Sequence, residues 1–351
     1  MATTAYTVNS SETVKLWRKK LAREALKATW FGKFIGDSSD DLVQVFDETK
    51  KSAGDRITVI LRMQLTGDGV LGDGTLEGNE EALTTYTDNL FIDQLRHAVR
   101  SAGKASDQRA SFSVREEAMM GLKDWWAGRL DTAFFNQICG NTAQTDTRYT
   151  GNNATIAPDS AHVYRPNSRA NDQSLTTGDE MTLPLIDVLV GMAKLMTPVI
   201  RPLKVNGEDK YVMFLHTNQV TQLRTNTSTG QWLDIQKAAI TGDGSKGNPI
   251  MTGALGEYNG VVLHESTRVT LGVNSSTGVA VSNTRRAVLC GAQAATVAFG
   301  QGQSFEEFDW NEELFDYGNQ LGVESGCIFG IKKLRFNSAD FGTIVLGTYT
   351  A

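Results

Sequence analysis

The sequence predicts a mixed α+β fold, and three patterns carry this prediction. Apolar and polar residues alternate along 56–65, as they do in a half-buried strand. A long helical pattern runs from 113 to 138, and strand-like runs close the chain between 286 and 351. With 351 residues, 40% of them hydrophobic and 21% charged, the chain can bury a substantial core.

Residues 11–33 have the pattern of a basic helix, because seven Lys and Arg side chains stand against Glu12 and Glu24. The basic residues are Lys15, Arg18, Lys19, Lys20, Arg23, Lys27 and Lys33. One apolar stripe contains Val14, Trp17, Leu21, Ala25 and Ala28, while Leu16, Leu26 and Trp30 project from the opposite side. A helix that is apolar on two sides is expected to lie between two surfaces. A membrane-surface helix and a solvated face with scattered leucines are the alternatives.

Gly67, Gly69 and Gly72 spell G-x-G-x-x-G directly after the strand at 56–65, which is the spacing of a dinucleotide-binding fingerprint. That fingerprint requires a strand buried on both faces and a helix that begins within the glycines. Here the strand alternates, and the acidic, glycine-rich residues that follow have no helical period. The glycines are therefore interpreted as a flexible loop tip, with 91–100 as the returning strand. Because an isolated hairpin is marginally stable, a partner subunit is expected to support it.

Residues 113–138 predict a long helix that begins at a capping box formed by Ser113 and Glu116. Its apolar side contains Met119, Leu122, Trp126, Leu130 and Ala133, and its opposite side contains Glu117, Gly121, Asp124, Gly128 and Asp131. About 26 residues at roughly 1.5 Å each give a rod of about 40 Å. The aromatic stripe is interpreted as core packing and not as a cofactor site.

The remaining chain predicts a long polar loop at 140–182, which is expected to be functional or to contact a partner. An α/β portion follows, with a helix at 183–197, a strand at Tyr211–His216, a helix from Asn218, a helix at 231–240 and a strand at Gly260–Glu265. Strands are expected at Ile328–Ile331 and Ile344–Leu346. Between 304 and 324 stand seven carboxylates and no Lys or Arg: Glu306, Glu307, Asp309, Glu312, Glu313, Asp316 and Glu324.

No motif in the sequence supports catalysis, a cofactor or a metal. The segment GDGSKGN at 242–248 lacks the GK[ST] of a P-loop, and HESTR at 264–268 departs from H-E-x-x-H at its last residue. The four histidines (His97, His162, His216 and His264) have no ligand spacing, and the three cysteines (Cys139, Cys290 and Cys327) are expected to be buried and unpaired. The acids at 306–316 are interpreted as a charged interface. An enzyme or carbohydrate-binding protein, with a site formed by these acids and the 140–182 loop, is the alternative function.

The net charge of −6 gives no overall field that favours nucleic acid or an anionic membrane. The absence of a cationic leader and of an 18-residue apolar run predicts a protein that is made in a cytoplasm and stays there, or enters something assembled there.

Three stretches carry a resemblance to a known family: YVMFLHTNQVTQLR (211–224), GALGEYNGVVLHES (253–266) and FDYGNQLGVESGCIFGIKKLRFN (315–337). Together with the order of arm, protruding loop, long helix, α/β middle and final strands, they resemble a tailed-phage major capsid protein of the HK97-like fold, in particular the N4 gp56-type family. The resemblance covers nearly the whole chain.

This resemblance implies an N-terminal arm at 1–49, an extended β-hairpin E-loop at 50–105, a P-domain with the spine helix and long loop at 106–182, an A-domain at 183–285, and a return to the P-domain at 286–351. It implies a structural protein, not an enzyme, that needs no cofactor and self-assembles as hexamers and pentamers into the icosahedral shell around a phage double-stranded DNA genome. The implied partners are a scaffolding protein, a portal, a decoration protein and, without sequence specificity, the packaged DNA, but no membrane. The implied location is the virion, after assembly in the host bacterial cytoplasm.

The basic arm and the acidic segment are expected to pair between subunits, with packaged DNA as the alternative partner of the arm. The expected contact residues are Trp17, Arg18, Lys19, Leu21, Arg23 and Trp30 of the arm, Gly67, Gly69 and Gly72 of the loop tip, and Glu306, Glu307, Asp309, Glu312 and Glu313 of the acidic segment.

Overall fold

The computed structural model describes residues 11–46, 54–62, 65, 67–109, 113–205, 207–226, 256–304 and 307–350. In the first half of the chain the elements are α1 (Ser11–Ala28), β1 (Ile35–Gly36), β2 (Val43–Phe46), β3 (Arg56–Arg62), β4 (Thr85–Phe91), β5 (Asp93–Arg100), α2 (Lys104–Arg109), α3 (Val114–Ile138) and β6 (Val163–Tyr164). In the second half they are α4 (Leu183–Leu195), β7 (Leu203–Val205), β8 (Glu208–Leu215), α5 (Thr217–Thr225), β9 (Glu257–Tyr258), β10 (Val261–Glu265), β11 (Gly272–Val273), β12 (Ala280–Val281), β13 (Thr284–Cys290), β14 (Ala295–Phe299), β15 (Asp309–Phe315), β16 (Gln320–Lys333), β17 (Arg335–Phe336), β18 (Ala339–Asp340) and β19 (Thr343–Tyr349).

Two larger sheets organise these elements. One has the strand order β1-β2-β14-β16-β15, and β5 also pairs with β16. The other has the order β6-β19-β13-β8-β10-β9, with β7 beside β8. The predicted strands at 211–216, 260–265, 328–331 and 344–346 are confirmed in β8, β10, β16 and β19, and the helices from 183 and 218 are confirmed as α4 and α5. The helix predicted at 231–240 lies outside the described residues.

The long helix α3 is the centre of the first core. Its predicted apolar side is buried, and Trp126 is fully enclosed, with its indole N–H donating to Ser325 Oγ at 3.0 Å. Removing a buried tryptophan of this kind costs about 3–5 kcal/mol of stability. The predicted capping box is wrong, because the side chain of Ser113 makes no capping hydrogen bond. Asp131, which the helical pattern places on the polar side, is also buried.

The second sheet separates two cores through the alternation of β8. Val212 and Phe214 face α3, and the Phe214 ring lies 5.4 Å from that of Phe135. Met213 and Leu215 face the opposite way, into the apolar cluster formed with α4 and α5. Because both faces are covered, β8 is apolar on both sides at this point, as buried strands generally are.

The hairpin predicted at 56–100 forms with a different return strand. β3 pairs with β4, from Arg56 opposite Phe91 to Arg62 opposite Thr85. The prediction that 91–100 returns along 56–65 is therefore wrong, since β5 leaves the hairpin and pairs with β16. The amide of Asn153 bonds both backbone groups of Phe91 at 2.9–3.0 Å, where the chain crosses so close to Gly330 that any side chain there would collide with it. These contacts turn the chain out of the hairpin.

The predicted loop at 140–182 is tied into the fold by buried polar groups. Asp172 accepts hydrogen bonds from Arg165 Nε at 2.6 Å and from Arg286 Nε of β13 at 2.7 Å. It also accepts from the backbone N–H of Val273 at 3.0 Å. Burial raises the pKa of this carboxyl, but the charges of Arg286 and Arg165 outweigh burial and hold the pKa below its ordinary value.

Candidate subunit-contact surfaces

The arm helix α1 lies on its own subunit along one face. Leu21, Ala22 and Ala25 are fully buried in the core around α3. The predicted helix to residue 33 ends instead at Ala28, because Trp30 N–H donates to Asp131 Oδ1 at 2.9 Å and the Phe31 ring stacks on the core. Leu21, expected at a subunit contact, is thus a core residue of its own chain.

Arg18 of the basic arm pairs with the acidic segment of its own chain, whereas the charge pattern predicts such a pairing between subunits. Its guanidinium lies 3.0 Å from the carboxylate of Asp309 and 3.6 Å from that of Glu307. Its Nε also donates to the backbone oxygen of Phe308 at 2.9 Å. Arg18 contacts Glu307 and Asp309 within one chain because the buried face of α1 turns Arg18 toward β15. A pairing of the arm with the acidic segment between subunits stays a prediction.

The other acids of this segment have separate environments. Glu312 is buried, pairs with Arg115 of α3 and accepts from the indole N–H of Trp310 at 2.9 Å. Glu313 is exposed. Glu306 lies outside the described residues, as does the side chain of Trp17. The sequence offers no sign that Arg115 is the partner of Glu312 beyond their opposite charges.

The outward side of α1 is basic. Lys19, Arg23 and Lys27 are exposed at helical spacing, and Lys33 is exposed in the 3-10 turn that follows. The side chain of Trp30, which follows the helix, is 46% exposed. These five residues are called the basic face below. On α1 itself, Lys19, Arg23 and Lys27 lie roughly opposite Leu21, Ala22 and Ala25 and so point away from the subunit's own core.

The glycine motif forms an exposed loop and not a nucleotide site. Gly69 and Gly72 have φ of +72° and +57°, which favour glycine, and Gly67 N–H donates to Glu81 at 2.6 Å. Turns but no helix occur among the described residues from 67 to 84. The segment at 65–84, called the loop tip below, therefore has no helix N-terminus for a pyrophosphate among its described residues.

The tip exposes four leucines. Leu65, Leu71, Leu76 and Leu83 have 57%, 94%, 61% and 58% of their surface accessible. The base of the same hairpin is different, because Ile57 and Val59 are buried in apolar clusters of their own subunit. Ile60 and Phe91 on the hairpin strands are also exposed, at 67% and 49%, so exposed apolar side chains occur along the hairpin as well as at its tip.

The histidines and cysteines have structural surroundings. His216 caps α5 by accepting from Asn218 N–H at 3.1 Å, and burial, with the charge of Arg285, lowers its pKa to about 4. Burial also lowers the pKa of His264. All three cysteines are free and buried, as expected. Within the described residues there is no group of acids, histidines or cysteines suited to a metal, and none of the helices has the length and hydropathy of a membrane span.

The alternative catalytic site is not supported. The 140–182 segment is anchored through Asp172 to β13, whereas the acidic strand is anchored through Asp309 and Glu312 to α1 and α3. An open groove of about 380 Å³ over β5, β15 and β16 is lined by Glu313 but by no residue of 140–182.

Comparisons with known proteins agree that the chain is a structural protein. The model of the phage capsid protein family matches residues 5–351. The major capsid protein of Pseudomonas phage KPP25 is 29% identical over an alignment of 372 positions, which covers 95% of this chain and 94% of the relative. The solved capsid of Ralstonia phage GP4 is 34% identical with a TM-score of 0.79, covering 100% of this chain and 96% of that one. The capsid of cyanophage Pam1, at 20% identity and a TM-score of 0.74, covers 93% of each chain and shows the same fold. The chain therefore belongs to the phage capsid protein family: it has the HK97-like fold and is a major capsid protein, a structural subunit of a phage shell and not an enzyme.

Proposed function

We propose that this chain forms the hexamers and pentamers of an icosahedral shell that encloses a phage double-stranded DNA genome. The shell is assembled in the cytoplasm of the host bacterium with a scaffolding protein and a portal as partners. A decoration protein is a further partner, and the packaged DNA contacts the shell without sequence specificity. The similarity to phage capsids over nearly the whole chain supports this proposal.

The same proposal assigns roles to the segments of the chain. Residues 1–49 are the N-terminal arm, 50–105 the E-loop, 106–182 and 286–351 the P-domain, and 183–285 the A-domain. The two apolar cores, one around α3 and one around α4 and α5, support a P-domain and an A-domain. The sheet that contains β8 also includes β13 and β19, so the boundary at 285 divides a sheet.

The observation that carries the proposal is the set of exposed leucines at the loop tip. Burying such apolar side chains against a partner is favourable, because it removes their surface from water. Leu71 is 94% exposed, and four leucines share the projecting tip. A second subunit of the shell supplies the surface against which these leucines are buried.

The test compares two sets of leucine-to-serine or valine-to-serine variants in the expressed protein. Changing Leu71 and Leu76 together to Ser is expected to leave the subunit folded, since both side chains are exposed, but to abolish shells seen by light scattering and negative-stain microscopy. Val279→Ser is the control, because Val279 is 62% exposed on a different loop, and it is expected to assemble normally. Normal shells from the leucine variant, or a small stable oligomer from the unaltered chain, would contradict the proposal.

A further inference from the structure

We propose that the basic face of α1 binds the phosphate backbone of the packaged double-stranded DNA, and that this face therefore lies on the inner surface of the shell. This inference rests on the proposed function, which names DNA as a partner without assigning a surface to it. Three observations carry it: the charge of the face, the scarcity of exposed apolar side chains along α1, and the pairing of nearby acids within their own subunit.

The exposed side of α1 carries almost only cations. Among the described side chains of this helix, the exposed ones are Lys19, Lys20, Arg23, Lys27 and Ala28. Lys33 is also exposed, in the 3-10 turn that follows. Lys19, Arg23 and Lys27 are four residues apart, or about 6 Å along the axis at roughly 1.5 Å per residue, so they form a row along the helix. The net charge of −6 on the whole chain is thus reversed locally on this side.

A phosphate backbone fits this composition better than a protein surface does. Protein interfaces have an apolar core in which charged residues, and lysine in particular, are depleted. From Lys19 to Ala28 the one exposed side chain that is not basic is the methyl group of Ala28. Trp30, at 46% exposure, is a single apolar side chain beyond the end of the row. Phosphate binding needs no apolar surface, because Lys and Arg displace the counterions of the backbone.

The acidic segment at 304–324 of a neighbouring subunit is the rival partner, but several of its carboxylates are engaged within their own subunit. Asp309 and Glu307 both face Arg18, and Glu312 pairs with Arg115. A carboxylate that already has a cation at this distance attracts a second cation less strongly. Double-stranded DNA, in contrast, offers one negative charge per about 1.7 Å of its axis.

The salt dependence of DNA binding tests the surface directly. The unassembled full-length chain is titrated with a fluorescent duplex DNA at salt concentrations from about 50 to 200 mM, and each phosphate contact contributes about 0.9 to the slope of log K against log salt. Changing Lys19, Lys27 and Lys33 together to Gln is expected to lower this slope by about 2.7 and to weaken binding more than about tenfold at the lowest salt. Duplexes of different sequence should be affected equally, because phosphates carry no sequence information.

The matched control changes three exposed lysines on other parts of the subunit, Lys104, Lys194 and Lys204, to Gln. Both triple variants change the net charge equally, so a loss confined to the arm variant assigns DNA binding to the basic face. Both are expected to keep the Tm of the unaltered chain, since all six side chains are exposed. Equal losses in the two variants, or an unchanged slope in the arm variant, would overturn the inference.

Lysine labelling in shells separates DNA from a neighbouring subunit as the partner. Empty and DNA-filled shells are treated with a small amine-acetylating reagent, and the modification of each lysine is measured by mass spectrometry. Lys19, Lys27 and Lys33 are expected to react in empty shells and to be protected in filled ones, while Lys194 and Lys204 react equally in both. Protection of the three arm lysines in both kinds of shell would show that a neighbouring subunit covers the face. Reaction in both would show that nothing covers it, and either result overturns the inference.

The outcomes separate this inference from the proposed function. If the unaltered chain forms no shells, the proposed function is wrong, and the assignment of an inner surface falls with it. If shells form but the arm variant binds DNA with the full salt slope, only the assignment of the DNA-binding surface is wrong.

Discussion

Replacing Asp172 by Ala is expected to destabilise the subunit severely, because it leaves a buried arginine without its counter-charge. The side chains of Asp172 and Arg286 are 1% and 5% exposed, and their charged atoms lie 2.7 Å apart. Removing one partner of such a buried pair costs about 3–5 kcal/mol, much of it from the unpaired charge that remains. The change also removes the acceptor for the N–H of Val273.

The loss is measured as the free energy of unfolding of unassembled subunits in urea. At roughly 2–4 °C per kcal/mol, the same loss corresponds to a decrease in Tm of about 6–20 °C. Asp40→Ala is the matched control, because Asp40 lies 3.7 Å from Arg201 in a pair whose side chains are 62% and 43% exposed. Exposed pairs contribute about 0–1 kcal/mol, so this variant is expected to remain close to the unaltered protein.

The pH dependence gives a second check on Asp172. The folded-state pKa of Asp172 lies below its ordinary value of 3.8, so the ionised carboxylate contributes stability that is present above that value and is lost as the pH falls through the folded-state pKa. The difference between the unaltered chain and Asp172→Ala should therefore shrink in acid. A loss below about 1 kcal/mol at neutral pH, equal to that of the control, would refute the assignment of a buried, compensated ion pair.

Three further predictions concern titration and covalent state. Burial raises the pKa of Asp131 to about 6, above its ordinary 3.8. The unaltered subunit should therefore gain stability relative to Asp131→Asn as the pH falls from 7 to 5. Parallel curves of Tm against pH for the two proteins would contradict this. Burial lowers the pKa of His216 from 6.5 to about 4, so the subunit should lose stability as the pH falls through this interval. The loss should be smaller in His216→Asn, which keeps a side-chain acceptor at the helix cap. Equal acid sensitivity of the two proteins would argue against the assignment. Because residues 66–89 contain no Lys, no lysine-mediated crosslink can form through this part of the loop. Boiled shells should therefore run as one band of monomer mass on a denaturing gel, not as a ladder.

Elements with a strong apolar period could be predicted from the sequence because the spacing of the apolar residues follows from which side of the helix or strand is buried. The stripe from Met119 to Ala133 predicts α3, and the alternation from Ile57 to Leu61 predicts the hairpin strand β3. The absence of catalytic spacing among histidines, cysteines and acids likewise follows from the order of residues alone. The resemblance to capsid proteins rests on sequence in the same way and is confirmed by the family match.

Pairings between distant segments could not be predicted, because hydrogen bonds and ion pairs depend on which surfaces meet. The alternation at 91–100 is compatible with either hairpin partner, and the crossing held by Asn153 and Gly330 decides for β16. Asp131 is polar and lies opposite the main stripe, yet the turn at Trp30 needs its carboxylate and buries it.

The sequence by itself determined that this chain has an α+β core, a projecting acidic tip with leucines, a basic arm and no catalytic constellation. These properties depend on local periodicity and composition, which folding does not change. Only the tertiary structure decided that Arg18 meets Asp309 inside its own chain while Lys19, Lys27 and Trp30 face outward. The reason is that burial of Leu21 and Ala25 sets the rotation of α1 about its axis. That rotation determines which basic side chains of α1 form ion pairs within the subunit and which point into solvent.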